Sequence, residues 1–542
     1  MVKKRKNTSG YMQANFFMIA AGCLLLLYIY LLVCVYPFLI EPGYGETTRV
    51  KLGFLISVSY GFLIGRLWIP SFIPLSLICV LAGTALYIKR SGKGIKAFVR
   101  SIRFSLTDIL VTLYGIFAVI SAILTPYRND LIWGVELSNM GLASQFLFIF
   151  IYFITSRLFD LEELKVLVYA SLLASSAVFA IGILQRFGYD IFDLYHGLEN
   201  KLFISTIGQH TFFSAYLILF FMLGAFLVWI CEPGSMMRRA AIVHLVIASC
   251  LPCILNADMI YAGLFFALSF MFVLSFESTE RMKSFLETAL IILFTWRILG
   301  IVWYLADPEF RLEPLSKFIL LSPLFWIPVV CLALIYIFIR RRAGEKTGFD
   351  IRRYSFIGYA YAGLVGFMIL IAIVYIILNT NRLLPKNLQS SANYLLFDAF
   401  WGNGRGAIWH DSVMSILGEL KRSPLTAVFG AGPDQFFYVL DGYVHDWLVI
   451  YTDKIALYAH NEWLNAVVCY GFFGGIAYLG IFISAVVRFT KSRKGSPVAL
   501  GAAVLLIAYL SHQMFGYQQY SSTPYIFLIL GIGEQEIRRG RT

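Results

Sequence analysis

Charge is what this chain has least of. Only 14% of its 542 residues are Asp, Glu, Lys or Arg, where a soluble domain carries ~25%. Acidic residues are the scarcer kind, 31 against 44 Lys and Arg. The chain is 59% hydrophobic with a mean hydropathy of +0.76. These values exclude a soluble enzyme and equally a disordered, collagenous or coiled-coil chain. Cysteines number eight and nearly all fall inside apolar runs, so no disulfide framework is implied. Cys250-Leu-Pro-Cys253 has a redox-pair spacing, but an apolar helix gives it neither the exposure nor the helix N-terminus that lowers a thiol pKa. Low-complexity tracts, internal repeats and a soluble domain are also missing.

What fills the chain is apolar runs, enough for about 12–14 helices at ~20 residues per span. An all-α polytopic membrane protein is the fold class expected. The net charge of +13 does not indicate nucleic-acid binding, because the cations sit in short clusters between runs. One opens the chain at Lys3, Lys4, Arg5 and Lys6; a second spans Lys89 to Arg103. Others are Arg340–Arg342 with Arg352 and Arg353, Arg488–Lys494, and Arg538–Arg541. Such clusters mark the cytoplasmic side. Both termini are then expected there, with membrane lipids as surroundings. The apolar run at 14–40 is too long for a signal-peptide core and reads as an uncleaved first span. Residues 52–88 carry Arg66, Pro70 and Pro74, which predicts a broken or interfacial helix.

Three regions follow: membrane helices in 1–379, a loop of mixed polarity at 380–457, and membrane helices in 458–542. Alternation places the loop outside, and loops this long are usually functional. Helical spacing of Ile408, Val413, Ile416 and Leu417 predicts a short amphipathic helix over 406–418. Three polar patches lie in or beside the loop. They are Trp401-Gly-Asn-Gly-Arg405-Gly-Ala-Ile-Trp409, then Gly430-Ala-Gly-Pro-Asp434-Gln-Phe436, then His460-Asn461-Glu462-Trp463-Leu464. A dinucleotide fingerprint would need a βαβ unit, which this setting excludes. Arg405 could grip a phosphate through its planar fork, or pair with lipid phosphates or Asp411. His460 could take a proton from a hydroxyl, titrating near the ordinary ~6.5, or be a hydrogen-bonded interfacial residue. His410 and His445 do not complete a zinc signature with it, and no metal site is expected. Trp401, Trp409, Phe436, Phe437, Tyr438 and Trp463 could stack on sugars or form an interfacial belt.

The order G-x-G-R-G-x-x-W, G-x-G-P-D-x-F and H-N-E-x-L resembles the O-antigen ligase and O-antigen polymerase family. Gly182-Ile-Leu-Gln185-Arg186-Phe-Gly188 and Thr206-Ile-Gly208-Gln209-His210-Thr-Phe-Phe-Ser-Ala-Tyr216 resemble its upstream elements, so the likeness runs from about residue 107 onward. The resemblance implies a GT-C-like membrane glycosyltransferase of surface-polysaccharide biosynthesis. Its donor is a glycan on undecaprenyl diphosphate, transferred with inversion to a glycan or lipid acceptor at the outer face of the cytoplasmic membrane. It further implies partners in envelope biosynthesis, no cofactor and no required metal. Arg405 would hold the diphosphate and His460 would act as base, with substrate contacts from Trp409, Asp434, Asn461 and Glu462. The family's further arginine is missing at Leu255-Asn-Ala-Asp258-Met259. A second cation would come from Arg186, Lys201 or Arg311, while Asp258 would contact sugar hydroxyls. Polymerase, ligase and protein glycosyltransferase stay open. A transporter or flippase of lipid-linked glycans is the alternative; few charges within the runs, and polar residues gathered in one loop, favour the enzyme.

Overall fold

A computed structural model describes residues 2–40, 50–51, 54, 62–64, 67–69, 72–91, 104–135, 138–194, 203–344, 349–441 and 456–540. Its helices are α1 (Val2–Tyr30), α2 (Phe72–Ser91), α3 (Leu106–Leu124), α4 (Leu142–Leu158), α5 (Leu164–Arg186), α6 (His210–Ile230), α7 (Met236–Ile254), α8 (Met259–Ser275) and α9 (Thr279–Ala306). They continue with α10 (Pro314–Leu321), α11 (Trp326–Gly344), α12 (Ser355–Thr380), α13 (Trp401–Arg422), α14 (Pro424–Phe429), α15 (Phe436–Asp441), α16 (Glu462–Lys491), α17 (Pro497–His512) and α18 (Thr523–Arg539). Two short strand pairs, Phe62–Ile64 with Leu67–Ile69 and Phe203–Ile204 with Gly208–Gln209, are the β structure among the described residues. Nine helices of that set are long and apolar enough to cross a membrane; α4, α8 and α17 are apolar but shorter. The chain is an all-α polytopic membrane protein.

Burial grades the bundle from inside out. The apolar window of His210–Ile230 is 89% buried and that of Ile351–Thr380 is 0% buried. Leu364, Phe367, Met368 and Leu370 on α12 therefore face outward, as aliphatic side chains do in lipid. Gln145 cross-links the interior. It accepts from Tyr114 Oη at 2.6 Å and donates to Met140 O at 2.7 Å and Gln518 Oε1 at 2.8 Å, so no member of this buried polar set is left unpaired.

The helices have a cation end. There Asp108, wholly buried, accepts from Arg157 at 3.1 Å and from Arg538. Arg488 meets Glu534 at 2.7 Å, and Arg493 meets Glu277 at 2.7 Å. These pairs tie the start of α3 to the ends of α4, α8, α16 and α18. The opposite end carries the polar loop and the starts of α6, α8 and α16.

The structure adds detail to the apolar segments and corrects one length. The apolar stretch 317–339 is divided after α10, where Ser322-Pro323 turns the chain before α11, because proline supplies no N–H to continue the first helix. Within 52–88 a strand pair precedes one helix, α2; Arg66 and Pro70 lie outside the described residues. The amphipathic helix expected over 406–418 is longer, occupying α13, and begins with Gly402, Asn403 and Gly404 all left-handed (φ 58°, 62° and 91°). Glycine takes that conformation without a steric penalty.

Candidate functional site

Motif by motif, the fold uses most of the polar residues to build and leaves a few uncommitted. Asn461 caps α16, its Oδ1 accepting from Trp463 N and Leu464 N at 3.1 Å each. Glu462 is tied at both ends to the α17–α18 connection: its N–H donates to Gln513 O at 3.0 Å and its Oε2 accepts from Gln518 N at 2.5 Å. Asn465 Oδ1 accepts from Ala459 N at 3.3 Å. Only His460 has no such task. Its Nδ1 is buried without a partner, and its φ of 47° is unusual for a side chain with a Cβ. Backbone strain of this kind clusters at active sites and ligand clamps.

The second motif is scaffold. Asp434 (φ 61°) accepts from Val135 N at 2.9 Å, Met140 N at 3.0 Å and Ser138 Oγ at 2.5 Å, so its carboxylate clasps the α3–α4 connection. These three donors give Asp434 a part in loop architecture. Gly430 and Gly471 meet where Ala431 N donates to Val468 O at 2.9 Å and Gly432 N to Cys469 O at 2.8 Å. Gly471 (φ 72°) breaks the helical path of α16 there. A Cβ on either glycine would enter the partner's backbone.

Arg405 follows the left-handed Gly402–Gly404 turn. Its Nη1 donates to Gly402 O at 2.8 Å, and its Nε is buried without a partner. Asp411 takes His410 Nδ1 at 3.0 Å. Burial lowers the Arg405 pKa, opposed by the electrostatic influence of Tyr394, Asp258, Tyr517 and Glu313. His460 and His512 both feel the Arg405 charge. Contacts of Trp409 with Ala459 and of Tyr517 with His460 and Thr211 bring α13, the starts of α6 and α16 and the α17–α18 connection into one neighbourhood, with Asp258 and Glu313 acting on Arg405 from α8 and α10. Burial first, then Arg405 and His210, push the His460 pKa down to about 3. The ordinary value near ~6.5 expected from sequence is therefore corrected, and the imidazole is neutral at physiological pH.

Aromatic rings complete the wall. Tyr517 stacks on Tyr458 with centroids 3.9 Å apart and meets His460 edge-on at 5.1 Å. Its hydroxyl lies 3.3 Å from Thr211 Oγ1 and 3.4 Å from Gln209 Oε1. Trp409 donates to Ala459 O at 2.9 Å and packs 5.0 Å from Trp401. Phe436 is buried, Trp463 packs on Tyr478 and Phe482, and Tyr438 donates to Asp130 at 2.7 Å. Those three serve packing or loop contacts, while Trp401 and Trp409 stand with the site.

The remaining candidates divide. Asp258, whose Oδ1 is buried without a partner, belongs to the neighbourhood. Asn256 braces that turn, donating to Arg311 O at 2.8 Å and accepting from Glu313 N at 3.1 Å. Arg311 itself is exposed. Arg186 is buried, donates to Ile254 O at 3.1 Å and lies 4.0 Å over Phe310, a seat that supports the same turn from behind. Lys201 lies outside the described residues. His512 and Tyr517 were not singled out by sequence, where the polar stretch His512-Gln-Met-Phe-Gly-Tyr-Gln-Gln519 between two apolar runs was the available signal; Thr211 lies within the quoted Thr206–Tyr216 element. No family model matches this chain, and no curated protein matches it.

Proposed function

We propose that this chain is a membrane glycosyltransferase that moves a glycan from a polyprenyl diphosphate, undecaprenyl diphosphate by the motif resemblance, to an acceptor hydroxyl. One observation carries the reading. Arg405 and His460, far apart in sequence, are both half-buried and come together where Trp409, one turn after Arg405, donates to Ala459 O beside His460, at the helix ends opposite the arginine-rich ends. In the reaction the acceptor oxygen attacks the anomeric carbon from the face opposite the diphosphate, and the configuration inverts. The acceptor proton passes to the neutral imidazole of His460. The C–O bond to the diphosphate breaks, its electron pair leaves on the diphosphate oxygen, and Arg405 holds the charge that grows there. Trp401 and Trp409 offer faces for sugar rings, and Asp258 offers an acceptor for their hydroxyls.

By the distribution of cations, the arginine-rich ends and both chain termini lie in the cytoplasm and the site faces outward. Surrounding lipids and a lipid-linked donor reach it from the outer leaflet. The deciding assay supplies purified protein in vesicles with the lipid-linked repeat unit. Longer glycans with released polyprenyl diphosphate are the expected products, formed without added acceptor by a polymerase and only with a lipid or protein acceptor by a ligase or protein glycosyltransferase. Movement of the intact repeat unit between leaflets, with no new glycosidic bond, would overturn the reading in favour of the flippase.

A further inference from the structure

His512 stands apart from the three motifs, at the last turn of α17. It is fully buried. Its Nε2 lies 3.0 Å from Ser214 Oγ, and Ser214 Oγ donates to Thr211 O at 2.8 Å. A serine hydroxyl has one hydrogen. With that hydrogen directed at Thr211 O, the serine oxygen can only accept from the imidazole, so the proton resides on Nε2. The other ring nitrogen, Nδ1, is then a bare lone pair. It is buried and has no partner in the protein.

A buried acceptor left unmade is costly, and each one asks for an explanation. Two observations say where this one points. Phe515 and Tyr517, which follow His512 in the chain, respectively stack near Trp409 at 6.3 Å and meet His460 at 5.1 Å, which places the ring on the flank of the proposed site. Gly516 stands beside Nδ1, where a Cβ would lie 3.4 Å from it, and the neighbouring Gln513 amide is buried and likewise without a partner, so two unmet polar groups share this spot. An anion cannot be the occupant, since a lone pair repels one. The complementary group is a neutral donor, and hydroxyl is the donor a glycan supplies in quantity.

We propose that His512 Nδ1 accepts a hydrogen bond from a hydroxyl of the acceptor glycan and so positions the acceptor against the bond that Arg405 and His460 break. His512 is a substrate-positioning residue, its tautomer set by the Ser214–Thr211 relay. This rests on the glycosyl-transfer reading, and two arms of one experiment separate their failures. His512→Gln keeps an amide N–H for Ser214 but has no acceptor where Nδ1 stood. His512→Asn returns an acceptor oxygen to that place. In the kinetic arm, His512→Gln should raise the KM for acceptor about 5–150-fold, the range for leaving one buried group unpaired. Its kcat should stay within about threefold, because the chemistry does not pass through this ring. His512→Asn should recover most of the loss in acceptor KM although it gives up the Ser214 contact and unfolds at a lower temperature, while His512→Gln should unfold close to the parent. Equal loss in kcat with unchanged acceptor KM would overturn the proposal, as would an unchanged His512→Gln.

The binding arm needs no turnover. Saturation-transfer NMR uses the free oligosaccharide released by mild acid from the cell's own lipid-linked pool, and inorganic pyrophosphate as the second probe. The oligosaccharide should bind the parent and bind His512→Gln about 5–150-fold more weakly, with pyrophosphate affinity unchanged. That result upholds His512 even if the parent transfers nothing, which would sink the transferase reading alone. Equal oligosaccharide binding by parent and variant, or none by the parent, removes the proposal.

Discussion

At the scale of single residues, the site divides into side chains with structural duties and side chains without them. Arg405 and His460 are in the second group, and their substitutions should act on rate more than on folding. Arg405→Ala is expected to lower turnover about 10²–10³-fold, by analogy with losing one oxyanion donor. Arg405→Lys keeps the charge but loses the planar fork and should fall between. His460→Ala should cost about 10²–10⁴-fold if its imidazole is the base; membrane assays at matched protein level decide, and near-parental rates would remove that role. Its pH behaviour follows from burial. The folded chain declines a proton until pH falls to about 3, while an unfolded histidine binds one below ~6.5. The contribution to stability is therefore complete above ~6.5 and is lost as pH falls below it. For the free enzyme the acid limb of kcat/KM should lie well below pH 6. A bound diphosphate would offset the Arg405 charge, so the limb of kcat should sit higher than that of kcat/KM. Coincident limbs near pH 6.5 would contradict this.

At the scale of elements, α16 shows how glycine placement builds the site. The break at Gly471 lets the Gly430–Gly432 strand of chain dock on backbone, and that docking fixes the segment leading to Asp434. Gly471→Ala combines a strained φ with a backbone clash and should destabilise the protein by at least about 1–3 kcal/mol. Gly363→Ala on α12, where a Cβ meets nothing within 4 Å, should instead gain about 0.5–1 kcal/mol. Thermal unfolding in detergent would compare the two; equal shifts would show that the docking carries no energy. The spans were legible because apolar length is a direct readout of lipid solvation. The break at Ser322-Pro323 was not, because a single proline inside an apolar run is compatible with either a kink or a stop. Among the residues of the proposed site, Arg405 and His460 were singled out by local motifs. His512 was not: one histidine ending an apolar run has no signature, and its partner Ser214 is 298 positions away. The bonds of Asp434 to Val135, Ser138 and Met140 were not readable either, since a carboxylate in a glycine-rich loop reads alike whether it binds sugar or backbone.

At the scale of the whole molecule, the cation end and the site end divide the labour. The buried Asp108 is held by Arg157 and Arg538, from the ends of α4 and α18. Removing the carboxylate's charge leaves two cations facing each other with little solvent. Asp108→Asn should therefore destabilise by about 3–5 kcal/mol, as when one partner of a buried pair is lost. Turnover per folded molecule should be unchanged, because the site lies at the other end. Unfolding midpoints and active-fraction kinetics would separate the two; a normal midpoint with lost turnover would mean that the ends communicate.

The pairing of Ser214 with His512 has a consequence in time. At about 5–20 residues per second of synthesis, the start of α6 precedes the end of α17 by about 15–60 s, given their separation of 298 residues. Through that interval α6 is inserted while its serine waits for an imidazole that has not been made. Every earlier span can be in place and the site still be incomplete. A chain halted before residue 512 would thus look like an assembled membrane protein and lack the wall against which its substrate is held.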